Sequence, residues 1–452
     1  MSFVKRFQKS VESLHSLPED ASYVVAYSGG LDSHVLLYCC QLLNLPVRAV
    51  HVHHGLQYVA DDWVKHCQDI CNALNIHLDV IYVDAQPGQG QSPEEAARDA
   101  RYEALQDNLS NHDCLITAQH LNDQAETLLL QLFRTASTAG LAAMPANRKF
   151  AGFVHIRPLL PFSRAEIEAF AQASDLHWIE DPSNDDVQFD RNFIRKEFIP
   201  LLETRWPEIT GQLSMVANLQ SNNLRVLEDM AAIDLADAIQ TVACQTQTHI
   251  YEVVSVLSIS VLKNLTSARL LNVLRFWITQ TIELSPTRKL LEEMEKALIN
   301  SQADANPVIV FSAFEFRRYQ DNLYLLKQAV NHKLQDVLTK AVDWNATMPL
   351  TLAFLNIKLT AINTAGEGLK QSLLNQSLKI CFRQGGENFH PAGRQHSQSL
   401  KKLLQQANVP PWERDVIPLL YYKDELVAVV GLWVCKKYAV DEGGWLVDVS
   451  VL

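Results

Sequence analysis

Short apolar runs alternate with amphipathic stretches from residue 22 to about residue 120. Tyr23 to Ala26, Arg48 to His53, Leu78 to Val83 and Cys114 to Thr117 read as four strands. Between them, helical spacing predicts helices through Leu36, Leu37 and Leu42, over Asp62 to Leu74, and over Glu94 to Leu105. A further amphipathic helix runs from His120 to Arg134, with Ala125, Leu128, Leu129 and Leu132 as its buried stripe. Strands alternating with helices of this length predict an α/β fold with a doubly wound, mostly parallel sheet. Met1 to Asp20 reads as a short amphipathic helix ahead of it. From about Trp206 to Asn300 the pattern turns helical, with Ser285-Pro286 as a helix start. Phe314 to Tyr319 and Leu323 to Lys327 then read as a hairpin around Asp321-Asn322. Residues 331–375 give weak signals and read as a linker region. From Leu378 onward a small mixed α/β domain is expected, with Leu426 to Val434 as its clearest strand. The expected domains are therefore 1–210, a mainly helical 211–330 ending in the hairpin, the linker 331–375, and 376–452.

The first strand runs directly into Ser28-Gly29-Gly30-Leu31-Asp32-Ser33, where a new helical pattern opens. Two glycines in a strand-to-helix turn let backbone N–H groups point at an anion without Cβ obstruction. The helix start adds orphan N–H donors and the positive end of a dipole. Ser28 and Ser33 bring hydroxyls to the same place. The expected anion is phosphate, and the expected ligand is ATP. The common phosphate loop requires a lysine, and none occurs between Lys9 and Lys65. His53-His54-Gly55 and Ala118-Gln119-His120 also follow strand ends, where ligands of doubly wound sheets bind. Asp123 and Glu126 share one helix face. Helix capping accounts for both; beside a phosphate site, carboxylates gain a second use in holding Mg²⁺.

With 452 residues, the chain has room for two or three domains. Its 48% hydrophobic and 20% charged content is that of a globular protein. No apolar run is long enough to span a bilayer, and the N-terminus lacks the apolar core of a signal peptide. The eight cysteines are dispersed, with no Cys-x-x-Cys, so they read as reduced thiols of a cytoplasmic protein. A net charge of −12 argues against a nucleic-acid footprint over the whole chain. The segment Lys379 to Arg414 is nonetheless locally basic, setting Lys379, Arg383, Arg394, Lys401, Lys402 and Arg414 against Glu387 and Glu413. It reads as a phosphate-contact patch for RNA. Arg191 and Arg195, four apart, are placed to face RNA phosphate as well.

The Ser28 to Ser33 loop resembles the pyrophosphate loop (PP-loop) of the N-type ATP pyrophosphatases, which cleave ATP to AMP and pyrophosphate. Over nearly its whole length the chain resembles the bacterial tRNA(Ile)-lysidine synthetase family. That resemblance is carried by Ser28 to Ser33, His51 to Leu56, Ala100-Arg101-Tyr102, His120 to Arg134 with Gly140-Leu141, and Ile156-Arg157-Pro158-Leu159. Trp178 to Asn184, Asp190-Arg191-Asn192, Arg383 to Glu387, Gly393-Arg394, Lys401 to Leu404 and Val409 to Asp415 carry it further. The family often reads His-His-x-Asp-Asp-Gln where this chain has Gln119-His120-Leu121-Asn122-Asp123-Gln124.

The resemblance implies a Rossmann-like catalytic domain, a substrate-binding middle domain and a C-terminal tRNA-binding domain. It implies a ligase that uses ATP and Mg²⁺ to join free L-lysine to C2 of the wobble cytidine of a CAU-anticodon isoleucine tRNA. By resemblance, Ser28, Gly29, Gly30, Leu31, Asp32, Ser33 and His53 hold the nucleotide. Asp32 and Asp123 hold the metal; His120, Asp123 and Glu126 line the reaction centre with Asp32; Arg101 contacts phosphate or substrate. A homodimer is left open, and no membrane partner is expected. A tRNA-thiolating relative would be expected to carry paired cysteines, and amidotransferases of the GMP or NAD synthetase type lack this long C-terminal arrangement. A non-catalytic ATP- and RNA-binding protein is the reading from another class, and the intact loop with His120 and Asp123 argues against it.

Overall fold

The unbroken apolar run Tyr23–Ala26 (β1) is buried on both faces, as a central parallel strand must be. Tyr23 and Val25 join one apolar cluster and Val24 joins another, following the period of two along a strand. The computed structural model describes residues 1–15, 18, 21–53, 60–84, 86, 93–110, 112–134, 137–150, 152–180, 186–241, 251–301, 307–328 and 338–452. These fall into two units, Met1–Val226 and Leu227–Leu452. Among the described residues no helix is long and apolar enough to cross a membrane.

The first unit is built on β1, Val47–His53 (β2), Leu78–Tyr82 (β3), Cys114–Ile116 (β4), Asn147–Phe150 (β5) and Phe153–Ile156 (β6). Their spatial order is β3-β2-β1-β4-β6-β5, parallel except for the edge strand β5. Helices Phe3–Leu14 (α1), Leu31–Leu42 (α2), Ala60–Leu74 (α3) and Arg164–Ala173 (α7) contribute to the cluster on one face. Pro93–Asn108 (α4) contributes Leu105 to the other. Leu121–Phe133 (α5) and Thr138–Leu141 (α6) follow β4. The chain steps outward from β1 through β2 to β3, then returns to place β4 on the other side of β1. The carboxyl ends of β1 and β4 therefore flank the point where strand order reverses, the usual ligand crevice of such sheets. Asp190–Phe193 (α8), a π-turn over Ile194–Phe198, Ile199–Glu203 (α9) and the long helix Ile209–Ala238 (α10) come next.

The helical reading of Trp206 to Asn300 needs correction. Tyr251–Ser258 (β7) interrupts it, because its β-branched run pairs antiparallel with Asn322–Gln328 (β10). Val308–Phe311 (β8) and Phe314–Tyr319 (β9) complete a sheet of order β7-β10-β9-β8, and the expected hairpin is its β9–β10 pair. Ile259–Lys263 (α11), Ser267–Ile282 (α12) and Arg288–Met294 (α13) accompany this sheet. Helix α13 starts after Thr287, whose hydroxyl accepts from the Leu290 N–H; Ser285 and Pro286 precede the cap.

The linker expected at 331–375 is also corrected over its described part. Val342–Asn345 (β11), Leu350–Leu352 (β12), Ile357–Asn363 (β13) and Gly368–Leu369 (β14) lie there, and Trp344, Leu355, Ile357 and Leu369 are core residues. Ser377–Cys381 (β15) pairs with β11, which ties the stretch into the C-terminal domain. The run Leu426 to Val434 is two strands, Glu425–Val429 and Trp433–Val434, broken at Gly431 with φ +75°.

His155 fastens β6 to β4. Its Nε2 lies 2.7 Å from Thr117 Oγ1, while Arg148 Nε and Arg157 Nη2 lie 3.2 and 3.4 Å from its Nδ1. Two guanidinium donors on Nδ1 place the ring proton on Nε2, which donates to the Thr117 hydroxyl. Burial first, then the charges of Arg157 and Arg148, lower its pKa to about 2. In the unfolded chain a histidine titrates near ~6.5. Below that value the unfolded state binds more protons, so stability falls as pH falls. His34 and His51, lowered chiefly by burial, act in the same direction. Denaturant midpoints are expected to drop between pH 7.5 and 5.5, with up to ~1.4 kcal/mol per pH unit from each such histidine. His155→Gln should flatten that dependence, and an unchanged slope in the variant contradicts this origin.

Candidate active site

The loop after β1 depends on one glycine more than the other. Gly29 has φ +82°, and a Cβ there would lie 2.7 Å from Ile179 Cδ1 and 2.9 Å from Cys67 Sγ. The Ile179 N–H donates to the Gly29 carbonyl at 3.0 Å, so this segment is pinned against the loop. Gly30 is the N-cap of α2 with φ −76°, and a Cβ there would meet nothing closer than 3.6 Å. The Ser33 hydroxyl donates to the Gly30 carbonyl at 3.0 Å and accepts from the Ser28 N–H at 3.3 Å. Ser28 Oγ is 3.1 Å from Ser33 Oγ, which closes the loop onto the first turn of α2. Leu31 anchors that turn in the core.

Asp32 projects from the same turn. Its Oδ2 pairs with Arg164 Nη1 at 2.5 Å, and its Oδ1 is 3.8 Å from His120 Nε2. Oδ1 is buried without a hydrogen-bond partner. Burial raises the Asp32 pKa, more than the charges of His120 and Arg164 lower it, and neighbouring Asp123 adds to the rise. A carboxylate with one buried, unpartnered oxygen beside a helix N-terminus is suited to a cation that arrives with phosphate.

His120 caps α5, and its backbone N–H donates to Asp123 Oδ2 at 2.9 Å. That same oxygen lies 3.5 Å from His120 Nε2. Asp123 Oδ1 accepts from Arg191 Nη2 at 2.8 Å and from Arg195 Nη2 at 3.1 Å. Glu126, 1% exposed, accepts from Arg191 Nε at 2.8 Å and from Arg195 Nε at 2.6 Å. Burial pushes the Asp123 carboxyl up, but His120, Arg191 and Arg195 prevail and hold it below the usual range. Arg191 lies on α8 and Arg195 in the π-turn, which sets both guanidiniums against α5.

The structure thus gathers Ser28 to Ser33, His120, Asp123 and Glu126. Arg191 and Arg195, expected to face RNA, turn to these carboxylates instead. Asp123, expected beside Asp32 as a metal ligand, has both oxygens engaged, so Asp32 is the carboxylate with an oxygen to offer. His53 ends β2, with its ring 4.8 Å from that of Tyr82. Arg101 is exposed on α4. His54 to Leu56 and Asp181 to Asn184 lie outside the described residues. Arg164 is the partner that sequence reasoning missed. Its only local signal is the Ser163–Glu166 capping box, which places it in the first turn of α7. Asn122 Oδ1 accepts from the Arg164 N–H at 3.0 Å, and Gln119 accepts from the Thr117 hydroxyl, so both departures from the family pattern have local partners.

In the second unit, Arg383 pairs with Asp415 at 2.8 Å and Arg394 donates to Gln406 at 2.6 Å. Lys401 and Lys402 are exposed on the helix Leu400–Gln406. Lys379 is likewise exposed, on β15, so the lysines rather than Arg383 and Arg394 are the freer cations of the segment among the described residues.

The two glycines should separate by substitution. Gly29→Ala should distort the loop, lowering nucleotide affinity at least tenfold, whereas Gly30→Ala should bind nucleotide within about threefold of the parent, because only the first needs positive φ. Calorimetric titration with a non-hydrolysable ATP analogue measures both, and equal losses contradict the distinction.

Three family models match in chain order: the PP-loop domain at residues 2–202, the TilS substrate binding domain at 257–324, and the TilS substrate C-terminal domain at 378–451. A tRNA(Ile)-lysidine synthase of Coxiella burnetii is 38% identical over 449 residues, covering 98% of this chain and 96% of the relative. One of Methylococcus capsulatus is 40% identical over 426 residues, covering 93% of each. One of Serratia proteamaculans is 37% identical over 445 residues, covering 96% of this chain and 97% of the relative. Similarity at that level from end to end, spread over all three domains, makes the chain a member of the tRNA(Ile)-lysidine synthase family.

Proposed function

We propose that this chain joins L-lysine to C2 of the wobble cytidine in a CAU-anticodon isoleucine tRNA, with ATP converted to AMP and pyrophosphate. The observation that carries the reading is the meeting of two motifs across the strand reversal: Asp32 of the Ser-Gly-Gly loop faces His120 after β4. In the first step the cytosine O2 attacks the α-phosphorus and pyrophosphate leaves. Charge builds on the leaving group, so catalysis is mainly positioning and electrostatic stabilisation. Backbone N–H groups at Gly29 and Gly30, with the N-terminus of α2, serve that role. Mg²⁺, held by Asp32 and the phosphates, supplies charge neutralisation when bound. In the second step the lysine ε-amine attacks C2, and AMP departs with the original O2. The amine must lose a proton; of the two candidate bases, His120 and Asp123, the first is favoured because both Asp123 oxygens are engaged. The stretch 376–452 serves tRNA binding in this reading.

No protein nucleophile is required. Burial pushes the thiols of Cys67 and Cys114 up to about 12, which makes them poor candidates for thiolation chemistry. Labelled lysine is expected to enter a CAU-anticodon isoleucine tRNA transcript only with ATP and Mg²⁺. Asp32→Asn should cut that rate by at least ~10²-fold, the loss typical of a removed electrostatic contact. Incorporation of ammonia or sulfur in place of lysine would overturn the reading.

A further inference from the structure

Three guanidiniums gather around Tyr102 and His155, and none has a carboxylate partner among the described residues. Arg98 of α4 and Arg148 of β5 both hold their Cζ atoms 5.7 Å from the centre of the Tyr102 ring. Arg157, which follows β6, is 3% exposed. Its Nη1 donates to the Pro145 carbonyl at 2.6 Å and its Nη2 approaches His155 Nδ1 at 3.4 Å. Its Nε has no partner. Neither partner is a carboxylate.

A buried guanidinium normally finds a carboxylate. Half-buried Arg48 pairs with Asp79 and Asp113, and half-buried Arg191 and Arg195 with Asp123 and Glu126, whereas buried Arg318 is met by the carbonyls of Leu298, Ile299 and Ser301. Around Tyr102, in a chain of net charge −12, three cations stand together with no carboxylate partner among the described residues. Burial foremost, then Arg148 and Arg98 against the opposing influence of Tyr102, lowers the Arg157 pKa to about 10. Burial first, then Arg157 and Arg148, keeps His155 neutral, so the imidazole adds no charge and removes none.

The cluster borders the candidate active site. His155 donates to the Thr117 hydroxyl, Thr117 donates to Gln119, and Gln119 immediately precedes His120. Arg98 is exposed and Arg148 half-buried, so an incoming anion can reach both, while Arg157 supplies positive potential from behind. The nucleotide's phosphates have their own loop at Ser28 to Ser33. The other polyanion that must approach the reaction centre is RNA, an assignment that rests on the function proposed above.

We propose that Arg98 and Arg148, backed by the buried Arg157, bind a backbone phosphodiester of the RNA substrate beside the nucleotide that enters the site. Such a contact fixes where the RNA lies without reading its sequence.

The test uses the full-length chain with Arg98→Gln, Arg148→Gln, the double variant, and the corresponding lysine substitutions. Binding of a CAU-anticodon tRNA transcript is measured by anisotropy across a potassium chloride series, ATP binding by calorimetry, and folding by thermal melting. The double glutamine variant should bind tRNA ~10-fold more weakly, with the slope of log K against log salt shallower by ~1 for one lost phosphate contact. The lysine variants should keep the parental slope, and ATP affinity should not change. A parental slope and affinity in a folded double variant would overturn the proposal. So would lost ATP binding with tRNA binding intact, which would assign the cluster to the nucleotide. Binding is read without turnover, so failure of lysine incorporation would remove the proposed reaction and leave this site standing.

Discussion

Asp32 is a half-buried carboxylate whose charge is only partly met by the protein. One oxygen is held by Arg164; the other faces His120 across 3.8 Å with no hydrogen bond. The three residues come from the ends of three different helices, α2, α5 and α7. Only the reversal of strand order between β1 and β4 brings the first two together. An incompletely matched buried charge is costly in the unliganded protein. In the proposed reading, that cost is what a cation-bearing triphosphate relieves on binding.

Behind Asp32 the charge is matched with care. Asp123 holds the His120 backbone and, with Glu126, gathers Arg191 and Arg195. The π-turn at Ile194–Phe198 adds a residue to the local helical turn, a device often found beside functional sites. A line of alternating charge therefore runs from the phosphate loop through α5 to α8. Glu126 sits at its buried end, paired with both arginines.

The parts of this arrangement that are local in sequence were readable there. The β1 loop, the four central strands and α5 each carry their period and their turn residues within about fifteen positions. What depended on long-range pairing was not. Arg164 meets Asp32 across 132 positions. Arg191 and Arg195 look like phosphate-seeking cations until α5 is placed against them. β7 hides in a helical stretch because its pairing with β10 is set by the far end of the domain. The strands between residues 342 and 369 are short and polar on one side, so their weak pattern resembles a linker until β15 and the C-terminal strand Trp445–Val451 supply partners. The resemblance to a family reached further than the pattern because it drew on motifs from all three domains.

The central claim is that the site activates a base in RNA before lysine arrives. Pyrophosphate release measured without lysine tests it most directly. The account predicts a burst of up to about one pyrophosphate per tRNA-bound enzyme with CAU-anticodon tRNA and ATP, and none when tRNA is omitted. Release of pyrophosphate with lysine and ATP alone would mean that the amino acid is activated instead, and would contradict it.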